Sequence, residues 1–304
     1  MKLATTTGDF DRYCPEMNER IRHVAEAGFK CVDISLYNEA KSNSVTLSEN
    51  WRESVDSWQK TASDLGVNFV QCHSAGGNPL RKDDKYDLLL QATLRSIEIC
   101  GILGIPNTVV HAGSQAGISK EEYFKKNLEF YRLLFPAMEK NNVSVLIENS
   151  TRKNCGENEY YFITGEDMAE FLDMANHPLL GACWDTGHAN CEGRQYEDLI
   201  ALGDKLRAIH FNDNSGRGDE HTIPYCGTMS VDAVMNGLLD IGYKGYFTFE
   251  SDSVLRPYKY WQGDRHTFEK ERVREAPLCV QKTFEHAMYQ IGEYILRAYD
   301  CFEF

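Results

Sequence analysis

The chain has 304 residues, of which 42% are hydrophobic, 26% charged and 12% aromatic. That is ample material for a buried core and excludes a disordered or fibrous chain. Lys and Arg number 32 against 46 Asp and Glu, a formal charge of −14, and no basic run offsets it, which disfavours a protein that grips a nucleic-acid backbone. No stretch approaches the ~18 uninterrupted apolar residues of a membrane span. The opening MKLATTTGDFDRY has no apolar segment of the secretory kind. Ten Cys form no C-x-x-C pair, and Cys31, Cys72 and Cys183 lie within apolar runs, which reads as reduced, buried thiols of a cytoplasmic protein.

In chain order, short β-branched or aromatic runs alternate with longer helical patterns. The expected strands are KLATTT at 2–7, CVDISL at 31–36, NFVQCH at 68–73, TVVHAG at 108–113, SVLIEN at 144–149, GACWDT at 181–186, RAIHFN at 207–212 and YFTFES at 246–251. Between them lie helical stretches beginning at PEMNER, ENWRES, DDKYDL, SKEEYF, TGEDMA, QYEDLI and SVDAVM, several opening on Ser, Thr or Asp and closing on Gly or Asn. Eight strands with intervening helices and no linker predict a single (β/α)₈ TIM barrel over about 2–251, within one domain of residues 1–304. An open doubly wound sheet lacks its G-x-G-x-x-G turn here. The remaining 252–304 forms a C-terminal extension: a polar, aromatic loop over 252–275, read as covering the barrel mouth, crossing to a neighbouring subunit of a homo-oligomer, or lying on the surface, and then a helix. Tyr258 and Trp261 in that loop are candidates to stack on a ligand, with packing the alternative.

Barrels of this kind place chemistry at the C-terminal ends of the strands. Those ends are polar: His73 in QCHSAGG, His111 in VVHAGS, Glu148 in LIENS, Asp185 and His188 in CWDTGHAN, His210 in IHFNDN, Asp219 and His221 in GDEHTIP, and Glu250 in FTFES. Each alone reads as an ordinary rim or core residue. Five of the nine His and four carboxylates converging on one mouth would be costly without a positive partner, and a divalent cation supplies it. Mixed imidazole and carboxylate donors suit Mn²⁺, Co²⁺, Fe²⁺ or Zn²⁺, whereas an all-oxygen cage suits Mg²⁺ or Ca²⁺. Asn149 and Asp213, beside these positions, are expected to orient a ligand or a substrate hydroxyl. Trp184 is expected to pack on the opposite strand face.

The ordered motifs H-S-A-G-G, H-A-G-S, L-I-E-N, W-D-T-G-H-A-N, H-F-N-D-N…D-E-H-x-x-P-x-x-G and F-E-S resemble the xylose isomerase-like TIM barrel superfamily over about residues 2–251. That superfamily includes sugar isomerases, ketose 3-epimerases, inosose isomerases and dehydratases, and endonuclease IV. The epimerase resemblance implies Glu148, Asp185, His210 and Glu250 as ligands of a metal, Mn²⁺ before Co²⁺, Mg²⁺, Fe²⁺ or Zn²⁺. It makes Glu148 and Glu250 the acid and base, with His188 and Arg217 on the substrate; His73 and His111 are read as further substrate contacts. The endonuclease IV pattern adds His73, His111, His188, Asp219 and His221 to hold three zinc ions, and Asp219 with His221 marks the place of a second metal. The leading expectation is a metal-dependent sugar isomerase or epimerase acting through an enediolate on a small sugar or polyol. The alternatives are a lyase or dehydratase on an oxidised sugar, inosose or keto-glycoside, and a three-zinc phosphodiesterase. No P-loop is present, and Arg217 is the one cation near the expected mouth, which tilts the reading towards an unphosphorylated substrate.

Overall fold

The computed structural model describes residues 1–251, 254–255 and 276–303. Eight parallel strands run β1 Lys2–Thr6, β2 Cys31–Ser35, β3 Asn68–His73, β4 Asn107–Val109, β5 Ser144–Glu148, β6 Leu180–Asp185, β7 Leu206–His210 and β8 Tyr246–Phe249. They are ordered β7-β6-β5-β4-β3-β2-β1-β8. A parallel bridge between Phe211 and Phe249 joins the two outer strands, with the Phe211 amide donating to Thr248 O at 2.7 Å. The sheet is thereby a TIM barrel, as the eight apolar runs predict.

Residue identity explains both layers. Outward-facing strand residues such as Val32, Ile34, Val145, Ile147, Trp184, Ile209, Phe247 and Phe249 join the large core beneath the helices. Inside the barrel, two small apolar clusters, Val109–Leu146–Cys183–Ala208 and Ala4–Cys31–Val70, form a floor. Because side chains alternate along a strand, the residues two positions after Leu146, Cys183 and Ala208 are Glu148, Asp185 and His210. The floor sets their depth.

The helices are α1 Met17–Ala27, α2 Trp51–Leu65, α3 Tyr86–Leu103, α4 Lys120–Asn141, α5 Gly165–Ala175, α6 Thr186–Glu192, α7 Gln195–Leu202, α8 Val231–Asp240 and α9 Leu278–Ala298. Ser119, Thr164 and Ser230 cap α4, α5 and α8 by accepting from the amides of Glu122, Asp167 and Ala233. Three boundaries differ from expectation. The run TVVHAG delivers only β4 to Val109, so His111 stands on the loop beyond it. The stretch QYEDLIALGDKL breaks after Leu202, because Gly203 takes a left-handed φ of 51° and starts a 3-10 turn. The short α6 was not foreseen; it begins inside the motif WDTGH.

Candidate metal and active site

One cavity of about 340 Å³ opens at the C-terminal end of the barrel, and His73, His111, Glu148, His188, Asp219, His221 and Glu250 line it. Asp185 and His210 lie beneath it, both fully buried. Nine of the ten positions singled out in the sequence therefore meet in one place. The tenth, Arg217, is exposed on the loop after β7 and is not among the lining residues.

The deepest part is carried by the strands. His210 Nδ1 lies 2.5 Å from Glu148 Oε1 and 3.2 Å from Glu250 Oε2, so the two glutamates flank one imidazole edge. Ligand atoms of Glu148, Asp185, His210 and Glu250 all fall within 4.8 Å of one another. Burial pushes the Glu148 carboxyl up, but the charges of His210 and His111 outweigh it and hold the group well below its ordinary range. For Glu250 burial is again opposed by His210, and its pKa is lowered to about 2. Asp185 goes the other way, raised to about 6, because burial dominates and His188 and His221 offset it only in part.

Asp185 also shows how the chain is bent to form the site. Its Oδ1 accepts from the His188 amide at 2.6 Å, which makes it the N-cap of α6 and turns His188 into the mouth. Its backbone is clasped by Asn149, which accepts from the Asp185 amide at 2.6 Å and donates to the Asp185 carbonyl at 2.9 Å. Asn149 thus holds the backbone of a candidate ligand. Asn212 donates to Asp185 Oδ2 at 2.7 Å, passing so close to Gly187 that a Cβ there would sit 1.8 Å from its oxygen. Asp213 does something else: it accepts from the amides of Asn214, Gly227 and Met229 and ties the loop after β7 rather than the cavity. Trp184 is fully buried and donates to Gln195, a packing role.

The upper part draws on loops for Asp219, His221 and His111, on α6 for His188 and on the end of β3 for His73. Asp219 Oδ2 lies 3.1 Å from both His188 Nε2 and His221 Nε2 and accepts from Asn154 at 2.7 Å. Burial opposes its charge, but His221 and His188 hold the Asp219 carboxyl far below its ordinary range. Against burial, Asp185 and Asp219 raise His188 to about 10. His73 is lowered to about 4 by burial and by His111, whose Nε2 is 3.1 Å away. Backbone carbonyls fix three rings: Nδ1 of His73, His188 and His221 faces Ser74 O, Asn149 O and Glu250 O at 2.9, 2.9 and 3.0 Å. Their Nε2 atoms consequently face the cavity.

These donors fit a divalent metal. Glu148 Oε2 is buried with the His111 and His73 Nε2 atoms 2.7 and 3.8 Å away, and ligand atoms of Glu148, Asp185 and Glu250 gather within 4.8 Å of one on His210. Mixed nitrogen and oxygen donors of this kind suit Mn²⁺, Fe²⁺, Co²⁺ or Zn²⁺. Two further groups, His73–Glu148–His210 and Asp185–His188–His221, have the same proximity.

Tyr37, edge-on to His73 and His111 at 5.2 and 5.8 Å between ring centroids, and Asn154 join the site from short 3-10 turns without any signal in the sequence. Asp33 and Gln71 join it too, and each does carry a signal, as a polar residue inside an apolar strand run. Tyr258 and Trp261 lie outside the described residues.

Known proteins bear on this arrangement. The chain is 22% identical over 286 residues to the uncharacterized protein y4fM of Sinorhizobium fredii, covering 81% of this chain and 86% of that one. It is 28% identical over 145 residues to a probable endonuclease 4 of Cenarchaeum symbiosum, 43% of this chain and 49% of that protein. The structure of D-psicose 3-epimerase from Clostridium cellulolyticum H10 superposes with a TM-score of 0.73 at 15% identity, covering 97% of this chain and 99% of that one. Residues 21–271, most of the barrel with its site, match the family described as xylose isomerase-like TIM barrel, and the chain belongs to that family.

Proposed function

We propose that this protein is a metal-dependent sugar isomerase or epimerase that moves a proton at a carbon beside a carbonyl. One observation carries the reading: Glu148, closing β5, and Glu250, just past the end of β8 three strands away around the ring, meet the same His210 nitrogen at 2.5 and 3.2 Å at the base of one cavity. Both carboxylates are held ionised, the form that a proton acceptor must have. Removal of a proton by one glutamate and return by the other to the opposite face inverts a carbon; return to the neighbouring carbon isomerises the sugar. Glu148, Asp185, His210 and Glu250 would hold the metal, which supplies positive charge for the negative charge that develops on the substrate oxygens. His188 keeps its proton through neutral pH, and its two N–H groups, on Asn149 O and Asp219 Oδ2, fix the Asp219 carboxylate at the cavity wall, where it meets a substrate hydroxyl. His73 stays neutral and offers a lone pair from Nε2. The described lining contains no Lys or Arg, which supports an unphosphorylated sugar or polyol. The likeness to a structure named D-psicose 3-epimerase supports a ketose.

The test is to load the protein with Mn²⁺, incubate it with a panel of free ketoses and aldoses, and follow the sugars by NMR. Conversion of one sugar into its epimer or isomer is expected; recovery of every sugar unchanged would end the reading. A second reading, a multi-zinc phosphodiesterase, is favoured by the two further donor groups and by the relative named endonuclease 4. Three zinc ions per chain with nicking of abasic DNA would establish it, and one metal per chain would exclude it.

A further inference from the structure

His210 is held the opposite way round from its neighbours. His73, His188 and His221 each turn Nδ1 to a backbone carbonyl, whereas His210 turns Nδ1 to Glu148 and Glu250 and leaves Nε2 pointing down into the barrel. No carbonyl meets it there. Instead the amide nitrogen of Gln71 lies 2.8 Å from Nε2, with Asp33 Oδ2 at 3.7 Å. Gln71 is itself placed by two strands: its amide nitrogen is 3.4 Å from Asp33 Oδ2, and Thr248 Oγ1 is 3.5 Å from its oxygen.

The backbone is built to deliver this contact. Between Val32–Phe69 and Asp33–Gln71 the β2–β3 register shifts, so β3 carries one extra residue, Val70. Simple alternation from Val70, a floor residue, would send Gln71 outward. The bulge re-aims it, bringing Gln71 and His73 inward together and setting Gln71 opposite Asp33.

An imidazole that gives its Nδ1 lone pair to a cation must carry its proton on Nε2, and a buried N–H requires an acceptor. We propose that Gln71 is a positioning residue for the metal: its carboxamide oxygen accepts from His210 Nε2–H when the site is filled, fixing the tautomer and the ring angle that aim Nδ1 at the cation. A half-turn of the amide gives the nearer position to the oxygen and turns the nitrogen to Thr248 Oγ1. Thr248 then accepts from the turned amide, while the contact of the amide nitrogen with Asp33 is given up. The inference rests on the reading of Glu148, Asp185, His210 and Glu250 as metal ligands.

The test compares wild type, Gln71→Met and Gln71→Glu. Calorimetric titration with Mn²⁺ and Zn²⁺ is expected to show Gln71→Met weakened by about ten- to a hundredfold, with Gln71→Glu, which keeps an acceptor, close to wild type. In ¹⁵N NMR of the Zn²⁺-loaded wild type, His210 is expected to carry its proton on Nε2, with Nδ1 shifted by the metal. If Gln71→Met fails to fold, the tautomer and the Gln71→Glu affinity decide. Equal metal affinity in Gln71→Met, or a loaded His210 protonated at Nδ1, would overturn the inference alone. A wild type that binds neither ion would overturn the metal site and the inference together.

Discussion

The two halves of the site are built differently. Glu148, Asp185 and His210 are strand residues seated two positions above an apolar floor, and Glu250 follows its strand directly. Asp219 and His221 ride on a loop, with His221 at a left-handed φ of 47°, and Asn154 ends a short 3-10 turn. Strands fix the charged groups that must face one another at an electrostatic cost, while loops bring in the groups that adjust to what enters the cavity. On the proposed function, the strand half is the place for proton transfer and the loop half the place for substrate contact.

Substitutions test that division, the largest effect first. Glu148→Gln and Glu250→Gln should each lower turnover by about a hundredfold or more while circular dichroism stays native; a variant with turnover near wild type would break the assignment of the strand half. Asp219→Asn, in the loop half, should release His188 and His221 and lower kcat/KM by about tenfold, as expected for losing a charge-assisted hydrogen bond. A loss as deep as that of the glutamate variants would erase the contrast.

Thermal melts of metal-free protein against pH give a further handle. His188 is raised from its ordinary 6.5 to about 10, so its contribution to stability is complete below pH 6.5 and lost as pH rises through about 10. Glu250 is lowered from 4.5 to about 2, so its contribution is complete above pH 4.5 and lost as pH falls through about 2. In Asp219→Asn the alkaline loss should shrink and the acid loss from Glu250 should remain. Asn149→Ala removes both side-chain hydrogen bonds to the Asp185 backbone and should cost about 1–3 kcal/mol, read as a lower melting temperature. The smallest effect belongs to Arg217→Ala: the side chain is exposed outside the cavity, and kcat/KM should change by less than about threefold, as is usual at such surface positions. A larger loss would place Arg217 on the substrate.

Much of this was legible in the sequence because barrels make strand order and strand ends informative. Each apolar run became a strand, and the polar residue closing it faces the mouth, as Glu148, Asp185 and His210 show. What escaped depends on contacts between distant segments. The α6 turn forms because Asp185 caps it, yet Asp185 reads in the sequence as a ligand alone. Gln71 shares a face with His73 two positions on, but the bulge that sets both inward together with Val70 is announced by no periodicity. Asn154 joins the site through Asp219, 65 positions further along the chain.

The measurement closest to the central claim is deuterium incorporation from D₂O into a converted sugar, run with metal-loaded wild type, Glu148→Gln and Glu250→Gln. Incorporation at one carbon beside the carbonyl in wild type, lost in both variants, is the predicted result. Conversion without any deuterium, or incorporation that survives in both variants, would contradict proton transfer by this pair of glutamates.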